Sequence, residues 1–483
     1  MREKNKVVKG SLWTGVASAV TMISQLARVM ILTRFLERSD FGVVAIINMV
    51  IGLCYAFGDL GFSSVIMYKR NMSDKEFSSL YWLQLFLYIA IYVVICLCSP
   101  LFSFFYEEES LIYLIPLSAL SIITLSVGKL YESVLQKEYE FKSISFRNII
   151  SNVSSLFLAL LLAIEGFGIY SLIISTLFQN LLYNVLSLLV GYSHRNLKFF
   201  FSFKEAKPLL NIGIYQTYTR IADYLSSQLD VLIIGKFLGT DILGGYDLAK
   251  QLVNRFVNFF KTTISQVALP VLTSKNDDDE AVKGRFLLIT RIVAFICIPV
   301  SFIIAVFSKE LMVILYGSIY ADIAIIASIF ALITMLSSIT CFFDMLGIAK
   351  GRTDLNFKNT VYRVLITTPI VLLTSLISIE AVALGQLVAM ILQIIIFWRI
   401  VVLKTYPMSF NRYFSTFSNY MFVWLFMSLL LWILKERLSI FEFITNEYLQ
   451  LFSYVFLGLL FMVVAYASIL KKDIVFVYTI LKR

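Results

Sequence analysis

About fourteen stretches of this chain are apolar over some 20 consecutive residues, the length a helix needs to cross a bilayer, and they leave little of its 483 residues for anything else. They begin near Gly10, Phe41, Ser79, Ser110, Ile144, Gly168, Pro208, Ile242, Phe286, Ala321, Lys358, Glu380, Thr416 and Glu447. Inside hydrocarbon every backbone N–H and C=O must find its partner within the segment, so such stretches fold as helices. A content of 59% hydrophobic and 15% charged residues, with a mean hydropathy of +0.84, agrees. The expected fold is an all-α polytopic membrane protein. An even number of spans places both termini on one side.

The distribution of Lys and Arg says which side. Alternate connections hold Arg2, Lys4, Lys6 and Lys9, then Lys69, Arg70 and Lys75, then Lys137, Lys142 and Arg147, then Arg195, Lys198, Lys204 and Lys207. The same register continues through Lys275, Lys283, Arg285, Lys350, Arg352, Arg399, Lys404, Arg412, Lys471 and Lys472 to Arg483. The opposite set holds only Arg34, Arg38, Lys236, Lys309, Lys435 and Arg437. The basic side is expected to be cytoplasmic, with both termini there. The net charge of +10 then reflects apposition to anionic head groups and requires no nucleic acid partner.

Several function classes drop out. The first apolar stretch runs past Arg28, too long for a cleaved signal core. Cys54, Cys96, Cys98, Cys297 and Cys341 all fall in apolar stretches without metal-ligand spacing, and are expected as packing residues. The run Asp277–Glu280 reads as a solvated loop rather than a metal site. His194 is the only histidine, which removes both a histidine metal pair and the base of a hydrolytic triad. The longest connections, around His194–Lys207 and Lys275–Lys283, are too short to hold a soluble catalytic domain. The chain is not expected to be an enzyme, and no catalytic or metal residue is assigned.

Four spans carry polar stripes at steps of three and four residues, which place them on one helix face. The first holds Thr14, Ser18, Thr21, Gln25 and Arg28, and the second Asn48, Tyr55, Asp59 and Ser63. The pattern returns about 200 residues later, the spacing of an internal repeat. There the seventh span holds Gln216, Arg220, Asp223, Ser227 and Asp230, and the eighth Asp247, Lys250, Gln251, Asn254, Asn258, Lys261, Thr262 and Ser265. Lipid cannot solvate such faces at tolerable cost, so they should line water or one another.

A second sign of repetition is local. RFLERSDFG from Arg34 matches KFLGTDILGG from Lys236, and LQKEYEFKSISFRN from Leu135 loosely matches IAKGRTDLNFKN from Ile348. Six spans per half is an even number, so the halves share an orientation and are related by an axis along the membrane normal, with a site expected between them. The expected domains are an N-terminal six-helix lobe over 1–200, a C-terminal six-helix lobe over 201–404, and two further helices with a cytoplasmic tail over 405–483.

RFLERSDFGVVAIINMV, the following GDLGFSSVIMYKR from Gly58, and LQKEYEFK resemble the polysaccharide transporter (lipopolysaccharide exporter, O-antigen flippase) family of the multidrug/oligosaccharidyl-lipid/polysaccharide superfamily. The resemblance covers residues 5 to 405. It implies translocation of an undecaprenyl-pyrophosphate-linked oligosaccharide, an O-antigen, capsule or exopolysaccharide repeat unit, from the cytoplasmic to the outer leaflet. The implied partners are that lipid-linked oligosaccharide, membrane lipids and other polysaccharide-assembly proteins.

The residues suit that cargo. A pyrophosphate and its glycan need a wet, cationic route while the polyprenyl tail stays in lipid, and Arg28, Arg220, Lys250 and Arg255 are the candidate substrate-binding residues. Asp59, Asp223, Asp230 and Asp247 are candidates for ion coupling or for counter-ions, since Arg220 and Asp223 lie three apart, as do Asp247 and Lys250. No cofactor is expected beyond a coupling Na⁺ or H⁺. Gln25, Asn48, Gln216, Gln251, Asn254 and Asn258 are the expected polar lining. The alternatives within the superfamily are a lipid II flippase and a multidrug/cation antiporter, which calls for a more acidic cavity and twelve spans. A membrane glycan polymerase or ligase, from another class, calls for a larger outer loop than this chain has.

Overall fold

The computed structural model describes residues 2–58, 60–69, 72–272 and 278–436, together with seven residues between 449 and 461. Every regular element among them is helical. In chain order they are α1 (Arg2–Leu32), α2 (Arg38–Gly58), α3 (Phe62–Tyr68), α4 (Asp74–Tyr106), α5 (Leu111–Lys137), α6 (Phe141–Ile164), α7 (Ile169–Tyr192), α8 (Phe203–Phe237) and α9 (Gly239–Leu272). They continue as α10 (Asp279–Val306), α11 (Ser308–Tyr316), α12 (Ala324–Thr340), α13 (Phe343–Ala349), α14 (Thr353–Ser375), α15 (Ile379–Phe397), α16 (Leu403–Thr405), α17 (Phe410–Phe414) and α18 (Ser418–Glu436).

Among the described residues ten helical segments are long and apolar enough to cross a membrane, which makes the chain a polytopic helical membrane protein. Helices α8, α9 and α14 coincide with three further expected stretches but are too polar along their length to join that set. The stretch expected from Glu447 lies largely outside the described residues. Pro100, Pro116, Pro299 and Pro369 sit inside α4, α5, α10 and α14. Cys54 and Cys297 are buried, whereas Cys96, Cys98 and Cys341 are only partly so, and all five are free thiols.

The chain divides into two compact units, residues 1–247 and 248–483. In the first, α5 packs against α4 and α7, and α6 packs against α1 and α7, while α8 lies on α2, α3 and α4. Its apolar centre joins Phe62, Ile66, Phe77, Leu80, Leu130 and Tyr131 from α3, α4 and α5. One end of this unit collects the basic connections. Lys137 Nζ donates to the carbonyls of Ile66 and Lys69, Arg195 and Lys198 both approach Asp74, and the single histidine, His194, meets Glu138. A capping box starts α4, with Ser73 accepting from Glu76 N at 3.2 Å and Glu76 accepting from Ser73 N at 2.9 Å.

Arg147 departs from the sequence reading. Counted with the basic connections, it instead lies inside α6 at 3% exposure. Its Nε donates to the Ser143 carbonyl at 3.1 Å, its Nη1 donates to Ser187 Oγ, and the guanidinium lies 5.7 Å from the centre of the Tyr183 ring. The side chains of α7 solvate this cation in place of the aqueous loop.

In the second unit α10 packs on α12 and α18, and α12 and α14 pack on α15. The core is aromatic. Tyr413, on the one-turn α17, stacks on Phe286 at 6.0 Å, meets Phe343 at 5.3 Å, and donates its hydroxyl to the Ile339 carbonyl at 2.6 Å. The acidic run does not float free in a loop. Asp279 pairs with Lys350 at 2.8 Å, and Glu280 pairs with Lys283 at 2.8 Å and with Arg412 at 2.9 Å. Here too the basic segments are tied together at one end, and the Asp279 carboxylate holds the Lys350 ammonium above its ordinary range.

At the other end of the first unit, the exposed Glu107 after α4 accepts from Lys236 Nζ at 2.8 Å. That bond and the ammonium charge hold the Glu107 carboxyl below its ordinary value of 4.5. A depressed carboxyl adds stability that is complete above the unfolded value and is lost as pH falls through the folded one. Glu107→Gln is therefore expected to melt slightly below wild type at pH 7, with the difference closing below about pH 4. Thermal unfolding of both proteins across pH checks this, and a gap that persists in acid would deny the ion pair its role.

Candidate transport site

The polar face of α1 turns to α6 and α7. Arg28 Nη1 donates to Ser155 Oγ at 3.2 Å, Gln179 Oε1 at 3.3 Å and Thr176 Oγ1 at 3.5 Å. Thr21 donates to Asn148 Oδ1 at 3.3 Å, and Gln179 Nε2 donates to Asn152 Oδ1 at 3.1 Å. One guanidinium thus binds a three-helix joint within a membrane span, where such donors must be satisfied by protein or water. Gln25 on the same face is half-buried.

Helix α2 contacts α8 and α5 through tyrosines. Tyr224 on α8 donates to the carbonyls of Asn48 at 3.1 Å and Met49 at 3.0 Å, and Tyr55 donates to Ser121 Oγ at 2.8 Å. Both hydroxyls serve helix packing, while the Asn48 side chain is exposed. Asp59 lies outside the described residues, as do the side chains of Gln216 and Asn258.

The repeated motif is also a contact. Aligning Arg34 with Lys236 sets Gly42 opposite Gly244 and Arg38 opposite Thr240, and in the fold these positions meet crosswise. A Cβ on Gly42 would collide with the backbone carbonyl of Thr240, and one on Gly244 would collide with the backbone carbonyl of Arg38 and lie 2.9 Å from Gly42 N. Each copy presents its glycine to the other copy's position four residues earlier, the reciprocity of a two-fold contact. Arg38 Nε closes it by donating to the Asp241 carbonyl at 3.1 Å, with the Asp241 carboxylate at 3.8 Å.

The charges on α8 and α9 have different settings. Arg220 is exposed and Asp223 half-buried on α8. Asp230 is 4% exposed, accepting from Tyr246 of α9 at 2.7 Å and from Val231 N at 2.9 Å. This carboxylate fastens the α8–α9 hairpin. Asp247 and Lys250 are half-buried on α9, as are Gln251, Asn254 and Arg255, and Arg255 Nη2 donates to Gln251 Oε1 at 2.6 Å.

The sequence reading passed over a second polar stripe. Ser171, Ser175, Gln179, Tyr183 and Ser187 recur every four residues along α7 and face Arg147, Asn152 and Ser155 of α6. On the α5 side, Lys129 and Glu132 pair at 3.1 Å, as their spacing implied. The signal was the same as in the first span, a fourfold step of small polar residues.

Residues 31–325 match the family model described as polysaccharide biosynthesis protein. The chain is 24% identical over 418 residues to the lipopolysaccharide biosynthesis protein WzxC of Escherichia coli (strain K12), covering 86% of this chain and 84% of that one. It is 24% identical over 355 residues to the teichuronic acid biosynthesis protein TuaB of Bacillus subtilis (strain 168), covering 73% of each. Its fold is similar to that of the lipid II flippase MurJ in an inward closed conformation, with a TM-score of 0.78 and 17% identity, covering 97% of this chain and 100% of that one. Matched by the family model over more than half of its length, the chain belongs to the polysaccharide biosynthesis protein family.

Proposed function

We propose that the protein is a flippase, not an enzyme, that moves an undecaprenyl-pyrophosphate-linked oligosaccharide from the cytoplasmic to the outer leaflet of the bacterial inner membrane by alternating access. The observation that carries the proposal is the contrast between α8 and α9 and the apolar helices around them. These are helices of 35 and 34 residues that bear Arg220, Asp223, Asp230, Asp247, Lys250 and Arg255. Charges at such depth mark a hydrated path or a binding site. Membership of the polysaccharide biosynthesis family and the fold shared with a flippase support the same reading.

In this reading Arg28, Arg220, Lys250 and Arg255 guide the pyrophosphate, with guanidinium groups suited to its oxygens. Arg220, exposed on α8, meets the head group directly, and Arg28 acts from its joint with α6 and α7. Asp59 and Asp223 couple the return of the empty carrier to Na⁺ or H⁺, while Asp230 and Asp247 serve as counter-ions. A single charge moving down the membrane potential contributes roughly 2.3 kcal/mol per 100 mV, enough to shift a two-state equilibrium more than tenfold.

A deletion strain tests the proposal. Lipid-linked oligosaccharide should accumulate on the cytoplasmic face and be cleared by the intact gene but not by Arg220→Ala at equal protein abundance. In vesicles with an imposed Na⁺ or H⁺ gradient, Asp223→Asn should remove the gradient dependence. Full export with Arg220→Ala would overturn the binding assignment, and unchanged gradient dependence in both Asp223→Asn and Asp59→Asn would overturn the coupling.

A further inference from the structure

We propose that a cavity between α10 and α18 in the second unit binds the phosphodiester head group of an anionic glycerophospholipid, a ligand distinct from the transported substrate. The cavity measures about 370 Å³, and its α10 wall is one helix face, Gly284, Leu287, Leu288 and Arg291. Those spacings of three, four and seven residues line up on a single side. The facing wall comes from Asn419 and Tyr420 at the start of α18 and from the turn before it.

Three features fit a lipid phosphate. The first is the donor set. Tyr420 accepts from Arg291 Nε at 3.1 Å and so fixes the plane of the guanidinium, and the Asn419 amide and the hydroxyls of Ser415 and Thr416 complete the polar lining. Those hydroxyls donate to the Arg412 carbonyl at 3.0 and 3.1 Å, and rotation of either would redirect it to a phosphate oxygen. The second is charge. Among the described residues no carboxylate lines the cavity.

The third is depth. The cavity opens at the end of the unit where the basic segments gather, and Arg291 follows the start of the apolar stretch at Phe286 by little more than one turn. A guanidinium there reaches the head-group layer by snorkelling. Leu287 and Leu288, between Gly284 and Arg291 along α10, give the wall an apolar strip for the glycerol and upper acyl chain. Basic pockets between transmembrane helices at this level suit phospholipid head groups. At the mouth, a Cβ built on Gly284 would meet no atom within 4 Å.

The test uses the full chain, purified in detergent and stripped of lipid, with binding of phosphatidylglycerol, phosphatidylethanolamine, undecaprenyl phosphate or inorganic phosphate read by native mass spectrometry and thermal shift. Wild type should retain phosphatidylglycerol in preference to phosphatidylethanolamine and melt higher with it. Arg291→Gln should weaken that binding by about tenfold to a hundredfold, the range for a charge-assisted hydrogen-bond set. Gly284→Phe, which fills the mouth and leaves both Arg291 and Tyr420 in the chain, should do the same and guards against a folding defect in the arginine variant. Equal phosphatidylglycerol binding by wild type and both variants would overturn the site. Equal protection by inorganic phosphate would show an anion site without lipid specificity, and preference for undecaprenyl phosphate would show a substrate subsite; either result overturns the assignment.

Discussion

Gly42→Ala and Gly244→Ala are each expected to lower the yield of folded protein and to abolish glycan export, although each adds one methyl group. The obstacle in both cases is a backbone carbonyl, Thr240 for Gly42 and Arg38 for Gly244. A side chain can swing aside, but a carbonyl in the opposite copy of the repeat moves only if the starts of α2 and α9 part. Overpacking of this kind costs about 1–3 kcal/mol where neighbours can relax, and a backbone neighbour places the expected loss at or above the upper figure. Parting them would also break the Arg38 Nε bond to the Asp241 carbonyl. Because one separation relieves both clashes, the double variant should lose less than the sum of the singles, the sign of a coupled pair. Gly15→Ala in α1 is the control. A Cβ there meets nothing within 4 Å, and removing a helical glycine should raise stability by roughly 0.5–1 kcal/mol. Thermal unfolding in detergent separates the cases, and wild-type melting in both seam variants would show that the close approach does not matter.

The seam also marks how far the sequence was legible. The resemblance of RFLERSDFG to KFLGTDILGG could be read directly, and with it the idea of a repeat. Their mutual contact could not, since nothing local requires two helix starts some 200 residues apart to meet. The apolar stretches were readable because a bilayer demands a fixed length of nonpolar chain, and each described helix expected from them is present. Helices α3, α11, α13 and α17 were not anticipated, since helices of nine residues or fewer fall below any window that detects a span. Yet α17 delivers Tyr413, which the second unit buries at its aromatic centre.

Stripes carry a related ambiguity. Periodicity tells which residues share a face but not what the face meets. Thr21 and Arg28 share a face whose donors reach α6 and α7, and Asp230 shares one with Arg220 and Asp223 yet is taken up by Tyr246. The deciding partners, Asn148, Ser155, Gln179 and Tyr246, lie in other spans, so the resolution lives at the level of packing. The same holds for Arg147, which the tally of Lys and Arg assigns to a connection because it cannot see that Ser143, Tyr183 and Ser187 will solvate it.

Arg147→Ala should therefore be among the most damaging single changes in the first unit, despite lying outside the residues proposed to meet substrate. Its guanidinium is one of two cations in a cluster in which Glu132 interacts with it through space, pairs with Lys129 and accepts from Gln136. Truncation leaves the Ser187 hydroxyl and the Tyr183 face without their partner, opens the volume of the side chain, and removes positive charge from beside a carboxylate. Losing a buried charge-assisted hydrogen bond and opening a cavity together cost about 3–5 kcal/mol, which corresponds to a fall in melting temperature of about 5–10 °C. Arg147→Met separates volume from charge. It refills the space and removes a buried Nη2 that has no hydrogen-bond partner among the described residues, so its loss should be at most half that of alanine. If the remaining penalty comes from a Glu132 left to Lys129 alone, then adding Glu132→Gln to Arg147→Met should recover stability, whereas adding it to wild type should reduce it. That opposite sign is the discriminating result. Additive losses would show that Arg147 and Glu132 act independently, and an alanine variant that melts with wild type would show that the cation is dispensable to the packing of α6 on α7.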